Sequence, residues 1–353
     1  MVDAARTGSR RPSCVHAGAA LQTVTMSGAE VEIREYRDDD EAAVLALLQA
    51  SLGWVPDDQY ARFFAWKHHD NAFGRSPAWV ALDGDRIVGF RIFLRWEYLR
   101  DGRVVRAVRA VDTATHPDAQ GRGIFSKLTR HALEQVRAEG VDFVFNTPND
   151  QSRPGYLKMG WQPVARLPVL VTPRSLPALV KIARARVPAD KWSQATGAGR
   201  AAPEVFADRD AVAQLLDACR APGGGLRTNR TPEFLAWRYG FAPLAYRVLL
   251  AGDRLADGCV VFRLRRRGAA VEAAICDVLV PPARRSSTGA LLRGVLRASR
   301  ADYAIRIGGT EVPRAMSLPL PGQGPTLVWR AVCDDVMPPA PDWHVTLGDI
   351  ELF

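Results

Sequence analysis

Apolar and polar positions alternate along several short stretches, and near residue 124 the period changes. Runs over residues 31–36, 78–82, 87–97 and 104–115 are rich in β-branched and aromatic side chains, which predicts strands. From residue 124 onward, apolar side chains recur every third or fourth position, at Ile124, Leu128, Ala132 and Val136. That spacing predicts an amphipathic helix, and Gly140 stands where a C-terminal glycine cap belongs. The pattern therefore predicts a strand that passes through a turn into a helix.

The remaining patterns complete a mixed α/β layer. Helical spacing over residues 41–50 and 60–68 follows the first strand, and a short apolar run at 141–145 follows the amphipathic helix. Aspartate–glycine pairs at 83–84 and 101–102 predict hairpin turns between antiparallel strands. The fold class is therefore α/β, with a central mixed sheet flanked by helices.

The same order of elements occurs twice. Residues 65–68 read Ala-Trp-Lys-His and residues 236–239 read Ala-Trp-Arg-Tyr, while the turn at 84–87 recurs at 252–255. The offsets are 171 and 168 residues, and the preserved order argues against chance matches of short words. A duplicated domain explains the pattern. The copies differ at one point, because Gln-Gly-Arg-Gly at 120–123 corresponds to Arg-Ser-Ser-Thr at 285–288.

The repeat and the composition divide the chain into five segments. We predict a disordered tail or misplaced start at 1–28, a first domain at 29–170, a linker at 171–203, a degenerate second domain at 204–332, and an apolar tail that packs on the body at 333–353.

Composition excludes several classes of protein. The chain has 353 residues, 47% hydrophobic and 24% charged, and no apolar run long enough to span a membrane. The net charge is +9, but only five of the 47 basic residues are lysine, so we attribute the excess of arginine to codon usage rather than to nucleic-acid binding. Five scattered cysteines, without a Cys-x-x-Cys pair, predict reduced thiols in a cytoplasmic protein without a metal site.

The glycine pair that opens the amphipathic helix suggests anion binding. Glycine lets backbone N–H groups approach a ligand closely, and the N-terminus of a helix adds unpaired N–H groups and the positive end of its dipole. The alternative is a glycine-rich turn that only joins a strand to a helix.

The sequence of this stretch resembles the acetyl-CoA loop of the GNAT acyltransferase superfamily. It reads Thr-His-Pro-Asp-Ala-Gln-Gly-Arg-Gly at 115–123. The resemblance implies a tandem GNAT protein that uses acetyl-CoA and no metal. It also implies that the cofactor is bound by Ala114, Thr115, Gln120, Gly121, Arg122, Gly123, Ile124, Phe125 and Ser126. The superfamily pattern has glycine or alanine at the position of Phe125, which is a departure.

A second segment, residues 146–161, resembles the GNAT form Asn…Ser…Tyr…Lys-x-Gly-Trp. By this match Tyr156 is the general acid and Asn149 contacts the cofactor, although Tyr156 could equally be a packing residue. The general base stays open between Glu97, Asp112, Asp150, His68 and His116. A similarity to aminoglycoside-acetylating tandem GNAT proteins adds the terminal carboxylate of Phe353 as a further candidate, which deletion of the last three residues would test.

The resemblance implies an acetyl-CoA-dependent N-acetyltransferase. Its acceptor would be a primary amine of a small molecule, such as an amino sugar, an aminoglycoside-like amine or a biosynthetic amine, attacked directly in a ternary complex. We keep two alternatives, a non-catalytic acyl-CoA-binding or regulatory module and a tandem GNAT enzyme similar to mycothiol synthase. Neither a nucleic acid nor a membrane is expected as a partner, and the oligomeric state is open.

Overall fold

The computed structural model of the chain describes residues 31–55, 57–184, 187–220, 224–308, 317–333 and 338–351. These residues fall within one compact unit, Val31–Phe353. The predicted tail at 1–28, with Cys14, and the candidate base Phe353 lie outside the described residues.

The regular elements follow in chain order. The helices are α1 (Glu41–Leu52), α2 (Asp58–His68), α3 (Ile124–Ala138), α4 (Arg153–Lys158), α5 (Leu176–Arg184), α6 (Ala202–Phe206), α7 (Arg209–Ala218), α8 (Pro232–Arg238), α9 (Thr288–Ser299) and α10 (Leu347–Ile350). The strands of the first part are β1 (Glu32–Glu35), β2 (Ala78–Asp83), β3 (Arg86–Arg100), β4 (Arg103–Thr115), β5 (Phe143–Asn146), β6 (Gln162–Arg166), β7 (Val169–Pro173) and β8 (Arg200–Ala201). Those of the second part are β9 (Leu226–Thr228), β10 (Arg247–Leu250), β11 (Cys259–Arg267), β12 (Ala270–Leu279), β13 (Tyr303–Ile307), β14 (Leu318–Leu320), β15 (Thr326–Ala331) and β16 (Trp343–His344).

The strands form two mixed sheets. The first has the order β1-β2-β3-β4-β5-β15-β6, with β9 paired to β3 and β16 to β9, and the second has the order β14-β7-β13-β12-β11-β10-β8. In each sheet one pair in the centre is parallel, β4 with β5 and β12 with β13, while the neighbouring pairs are antiparallel. The predicted fold class, a mixed α/β arrangement of two sheets flanked by helices, is confirmed.

Each sheet is completed by a strand from the other half of the chain. β15, which lies at the end of the predicted second domain, pairs with both β5 and β6 of the first sheet. β7, which follows the first copy, pairs with β13 of the second sheet. The two halves of the chain are therefore joined by main-chain hydrogen bonds as well as by side-chain packing.

A shared core lies between the two halves. Helices α1 and α2 pack on the first sheet, and α6, α7 and α8 on the second, and their apolar side chains belong to one continuous cluster. Helix α3 covers the other face of the first sheet and α9 that of the second, each with its own cluster. This burial of apolar surface is the main term that stabilises such layers.

The repeated words predicted from the sequence meet in this core. Nε1 of Trp66 donates to the carbonyl oxygen of Trp237, and Nε1 of Trp237 donates to that of Trp66, each at 2.8 Å. The two indole rings stack with centroids 5.4 Å apart. A reciprocal pair of this kind places equivalent residues of the two copies across an approximate two-fold axis.

Candidate active site

A cleft opens where β4 and β5 part. The parallel pairing of these strands ends at Arg109 and Phe145, after which β4 continues along β3 to Thr115 and the chain after Asn146 turns toward α4. The cleft has a volume of about 700 Å³. Its walls are residues 109–115 of β4, the loop before α3, the start of α4, and Ser51 and Leu52 at the end of α1.

The predicted acetyl-CoA loop forms one wall of this cleft. Gly121 and Gly123 have left-handed backbone angles, φ of 80° and 74°, which glycine adopts without strain. A Cβ atom added at either position would meet nothing within 4 Å, so open space lies against the main chain there. Helix α3 begins at Ile124, and the first N–H groups of a helix have no intrahelical acceptor.

Most of the predicted site residues lie around this cleft. Ala114, Thr115, Gln120, Gly121, Gly123, Ile124, Phe125, Asn149 and Tyr156 line it. Arg122 and Ser126 are not among its lining residues; Arg122 pairs with Asp83 at 2.5 Å, and the N–H group of Ser126 donates to the carbonyl of Gly123. Oδ1 of Asn149 accepts hydrogen bonds from the backbone and hydroxyl of Ser152.

Tyr156 lies on α4 and lines the same cleft as the loop. Its side chain is buried, and its hydroxyl accepts a hydrogen bond of 2.8 Å from Nη1 of Arg91. The Phe125 ring stands edge-on to the Tyr156 ring at 5.3 Å. A Cβ atom added to Gly155 would lie 3.0 Å from the Phe125 ring, so this glycine gives Phe125 the room that its size requires. Phe125 is therefore a wall of the cleft and a support for Tyr156.

A carboxylate with two basic neighbours lies at the floor of the cleft. A β-bulge sets Arg91 of β3 opposite both Asp112 and Thr113 of β4, and Asp112 takes a φ of 39° there. Oδ2 of Asp112 accepts from Nζ of Lys67 at 2.6 Å and from Nε2 of His68 at 2.9 Å. Because a carboxylate can only accept, Nε2 of His68 carries the proton, and Nδ1 accepts from Ser76 at 3.0 Å.

The protonation of this cluster follows from its burial and its charges. Burial raises the pKa of Asp112, but the charge of Lys67 and the hydrogen bond of His68 outweigh it, so the carboxyl has a pKa well below its ordinary value. Burial lowers the pKa of His68 to about 4 and also lowers the pKa of Lys67. Asp112 is thus an anion and His68 is neutral at neutral pH.

The candidate bases from the sequence are spread over the first domain. Asp112 lines the cleft, and His68 contacts it from behind with its side chain wholly buried. Glu97 accepts from Asn229, and the exposed Asp150 pairs with Arg153. His116 accepts from the backbone of Asp118 and contacts Arg86. Of these five, Asp112 alone lines the cleft that the structure describes.

The segment before the chain end reaches the same cleft through Arg109. Arg109 lines the cleft, and its guanidinium donates to the carbonyl oxygens of Asp349 at 2.7 Å and Ile350 at 3.2 Å. Glu351 follows in a buried position, where it pairs with Arg263 at 2.9 Å.

The sequence did not predict two residues that lie beside the cleft, Arg91 and Lys67. Arg91 interrupts an apolar strand, which is a visible signal, but only the bulge brings it to Tyr156. Lys67 is one of five lysines and stands in the repeated word at 65–68, where its counterpart is Arg238. A comparison of the two copies could have singled it out.

Comparisons with known proteins agree with this geometry. A family model described as an acetyltransferase (GNAT) domain matches residues 32–164. Residues 32–164 are therefore similar to a GNAT acetyltransferase domain. This acyltransferase assignment agrees with the family expected from the loop, whereas a comparison with curated protein sequences finds no match.

Solved structures share the fold over both halves. A GCN5-related N-acetyltransferase from Kribbella flavida has 18% identity and a TM-score of 0.59, over 86% of this chain and 71% of that chain. A probable N-acyltransferase from Enterococcus faecalis V583 has 12% identity and a TM-score of 0.59, over 86% and 73%. Eis1 from Mycobacterium abscessus has 16% identity and a TM-score of 0.54, over 86% and 74%.

Two further properties of the described residues bear on metal ions and membranes. No group of three or more histidine, cysteine, aspartate or glutamate side chains there could hold a metal ion. In the same part of the chain, no helix is long and apolar enough to cross a membrane.

Proposed function

We propose that this chain is an N-acetyltransferase that moves an acetyl group from acetyl-CoA to a primary amine of a small molecule, by direct attack in a ternary complex. One observation carries the proposal. The glycine loop at the start of α3 and Tyr156 line a single cleft. That arrangement provides both an anion site and a proton donor in one place.

The loop fits the pyrophosphate of coenzyme A. The open space at Gly121 and Gly123 lets a phosphate approach the main chain, and the N-terminus of the 15-residue helix α3 favours negative charge. Ala114 and Thr115 on β4, with Asn149 opposite, would hold the arm that leads from the pyrophosphate to the reacting centre. When bound, acetyl-CoA supplies the thioester that is transferred.

The residues of the chain then have separate tasks. Tyr156 holds a proton on its hydroxyl oxygen for the departing sulfur, as a general acid. The anionic Asp112, held by Lys67 and His68, attracts and orients the ammonium group of the acceptor. With its pKa far below the ordinary value, Asp112 is a poor proton acceptor, so its task is orientation.

The charge of the cleft restricts the acceptor. Among the described residues that line it, Arg109 and Asp112 are the charged ones, one of each sign. A polycationic acceptor would require several carboxylates. We therefore favour an acceptor with a single ammonium group, such as a simple amino sugar or a biosynthetic amine, over an aminoglycoside-like polycation.

The second copy has a supporting task in this proposal. It has lost the glycine pair, and its own cavity at the corresponding place has a volume of only about 60 Å³. We propose that it closes a wall of the acceptor site and stabilises the first copy, within the domain boundaries predicted from the sequence.

Calorimetric titration with acetyl-CoA, followed by a thiol-release assay with a panel of amines, tests the proposal. The panel contains amino sugars, an aminoglycoside, simple biosynthetic amines and a cysteinyl amine of the kind that mycothiol synthase acetylates. We expect micromolar binding and turnover with at least one amine that carries a single charge. Binding without turnover on any amine would favour the non-catalytic module, and no binding would contradict both.

A further inference from the structure

Arg91 is a charged side chain in a place where charge is costly. It is fully buried within β3. Burying a charge without a counter-ion carries a large desolvation penalty, so such groups are normally paired with a carboxylate. Among the described residues, the hydrogen bonds of Arg91 go to the hydroxyl groups of Thr113 and Tyr156, and its Nε and Nη2 atoms make none.

Three aromatic rings enclose the guanidinium in place of a carboxylate. Its central carbon lies 4.6 Å from the ring centroid of Phe93, 5.4 Å from that of Tyr156 and 5.7 Å from that of Phe125. Aromatic faces attract a cation but leave its charge unneutralised. The Phe125 side chain, which stands where the superfamily pattern has glycine or alanine, thus helps to cover this cation.

The direction of one hydrogen bond has a chemical consequence. A guanidinium can only donate, so the hydroxyl oxygen of Tyr156 accepts from Arg91. The proton of Tyr156 must therefore point away from Arg91, and Tyr156 lines the cleft. We propose that Arg91 is a positioning residue, which directs the Tyr156 proton into the cleft and stabilises the phenolate that remains when the proton leaves.

This inference rests on the proposed role of Tyr156 as the general acid. In the transfer step a nitrogen–carbon bond forms to the acceptor and the carbon–sulfur bond breaks. The sulfur takes the proton from the Tyr156 oxygen. The ammonium nitrogen of the acceptor loses two protons in all, one to solvent before it attacks and one as the amide forms, and solvent returns the second to the Tyr156 oxygen. The negative charge left on the Tyr156 oxygen lies 2.8 Å from the guanidinium nitrogen, where a charge-assisted hydrogen bond stabilises it.

A double-mutant cycle on the full chain tests the proposal. Arg91→Met is expected to lower kcat by roughly 10- to 100-fold, with the KM for acetyl-CoA changed by less than about twofold. In a Tyr156→Phe background the same substitution should lower kcat by less than about twofold further. Arg95→Met on the same strand, outside the cleft, is the control and should leave kcat unchanged.

A spectroscopic readout without turnover accompanies the cycle. Fluorotyrosine placed at position 156 reports the hydrogen bond through its fluorine NMR resonance. We expect this resonance to move in Arg91→Met and to return toward the wild-type position in Arg91→Lys, which keeps a cationic donor. Thermal unfolding of each variant shows whether it is folded, and if Arg91→Met does not fold, the cycle uses Arg91→Gln, which removes the charge but keeps a polar side chain.

The outcomes separate the two proposals. Equal loss from the Arg91 substitution in both backgrounds, or a resonance that does not respond to it, overturns the role of Arg91 and leaves Tyr156 as the acid. Unchanged kcat in Tyr156→Phe alone overturns the proposed function itself.

Discussion

The two halves of the molecule share one arrangement of strands and helices but differ in what surrounds their buried carboxylate. In the first, Asp112 accepts from Lys67 and His68 at the floor of a cleft of about 700 Å³. In the second, Asp277 stands at the corresponding place, but it accepts from Tyr239 at 2.5 Å and from Arg230 at 2.6 Å beside a cavity of about 60 Å³. Both halves thus contain a buried carboxylate, but the cleft beside Asp112 is much larger than the cavity beside Asp277.

The segment that contains α10 explains much of this difference. The hydroxyl group of Thr346 donates to Oδ1 of Asp277 at 2.9 Å, and a Cβ atom added to Gly348 would lie 3.0 Å from Oδ2 of Asp277. The chain itself therefore packs against the second carboxylate, where the first faces the cleft. The second half therefore differs from the first both in the filling of this place and in the absence of the glycine pair.

The largest expected difference between the two halves is the effect of removing one hydroxyl group from each. Tyr156→Phe should lower kcat by about 100- to 10,000-fold, since it removes the proposed general acid. Tyr239→Phe removes the hydroxyl that donates to Asp277 and should cost about 1–3 kcal/mol of stability with kcat nearly unchanged. Steady-state kinetics and urea unfolding measure both. A comparable loss of kcat in Tyr239→Phe would mean that the second half takes part in the chemistry.

Removing the first carboxylate should be the next largest effect. Asp112→Asn leaves the buried ammonium group of Lys67 without its anionic partner at 2.6 Å, so we expect a loss of about 3–5 kcal/mol in the free energy of unfolding. The paired variant Lys67→Met with Asp112→Asn should recover part of it. Denaturant titration checks both, and a stable single variant would contradict the account of this cluster.

Acid should weaken the first half through His68. Its folded pKa of about 4 lies below the ordinary 6.5, so the unfolded chain binds a proton more readily between these values. The stabilising contribution is present above pH 6.5 and is lost as the pH falls toward 4, by up to roughly 3 kcal/mol. In His68→Gln the slope of stability against pH over this window should fall by about one proton. An unchanged slope would show that His68 does not titrate in this way.

The smallest expected effect concerns the axis between the halves. Trp66→Phe and Trp237→Phe each remove one of the reciprocal hydrogen bonds. Each should lower the free energy of unfolding by about 1 kcal/mol, and the two losses should be similar. Thermal unfolding measures the two losses. A loss several times larger at one tryptophan would show that the pair is not equivalent.

The sequence foretold the parts of this molecule that depend on local pattern. Helix α3 begins at Ile124 as its apolar spacing predicts, and Gly140 has the positive φ of a C-terminal cap. The repeat singled out the two words that contain Trp66 and Trp237, but it did not predict that their rings stack. The carboxylate of Asp40, at the N-cap of α1, makes no side-chain cap and pairs with Arg34 instead, which the local pattern does not reveal.

Features that depend on contacts between residues far apart in the chain could not be predicted from local pattern. The exchange of β7 and β15 between sheets follows from packing of the whole unit, and no local pattern names the partner of a strand. The bulge that brings Arg91 to Tyr156 shifts the register by one residue, which periodicity alone does not reveal. The filling of the second cavity involves residues 69 positions apart in the chain, Asp277 and Thr346.

We propose that the chain contains one acetyl-CoA site, at the glycine loop of its first half. Calorimetric titration of the full chain with acetyl-CoA measures this directly, with Gly123→Val to strain the loop at a φ of 74°. Gly102→Val, at a φ of 77° in a hairpin turn with equally open surroundings, is the matched control. We predict one site per chain, weakened at least about tenfold by Gly123→Val and retained in Gly102→Val. Two sites per chain, or a single site that Gly123→Val leaves intact, would contradict the account.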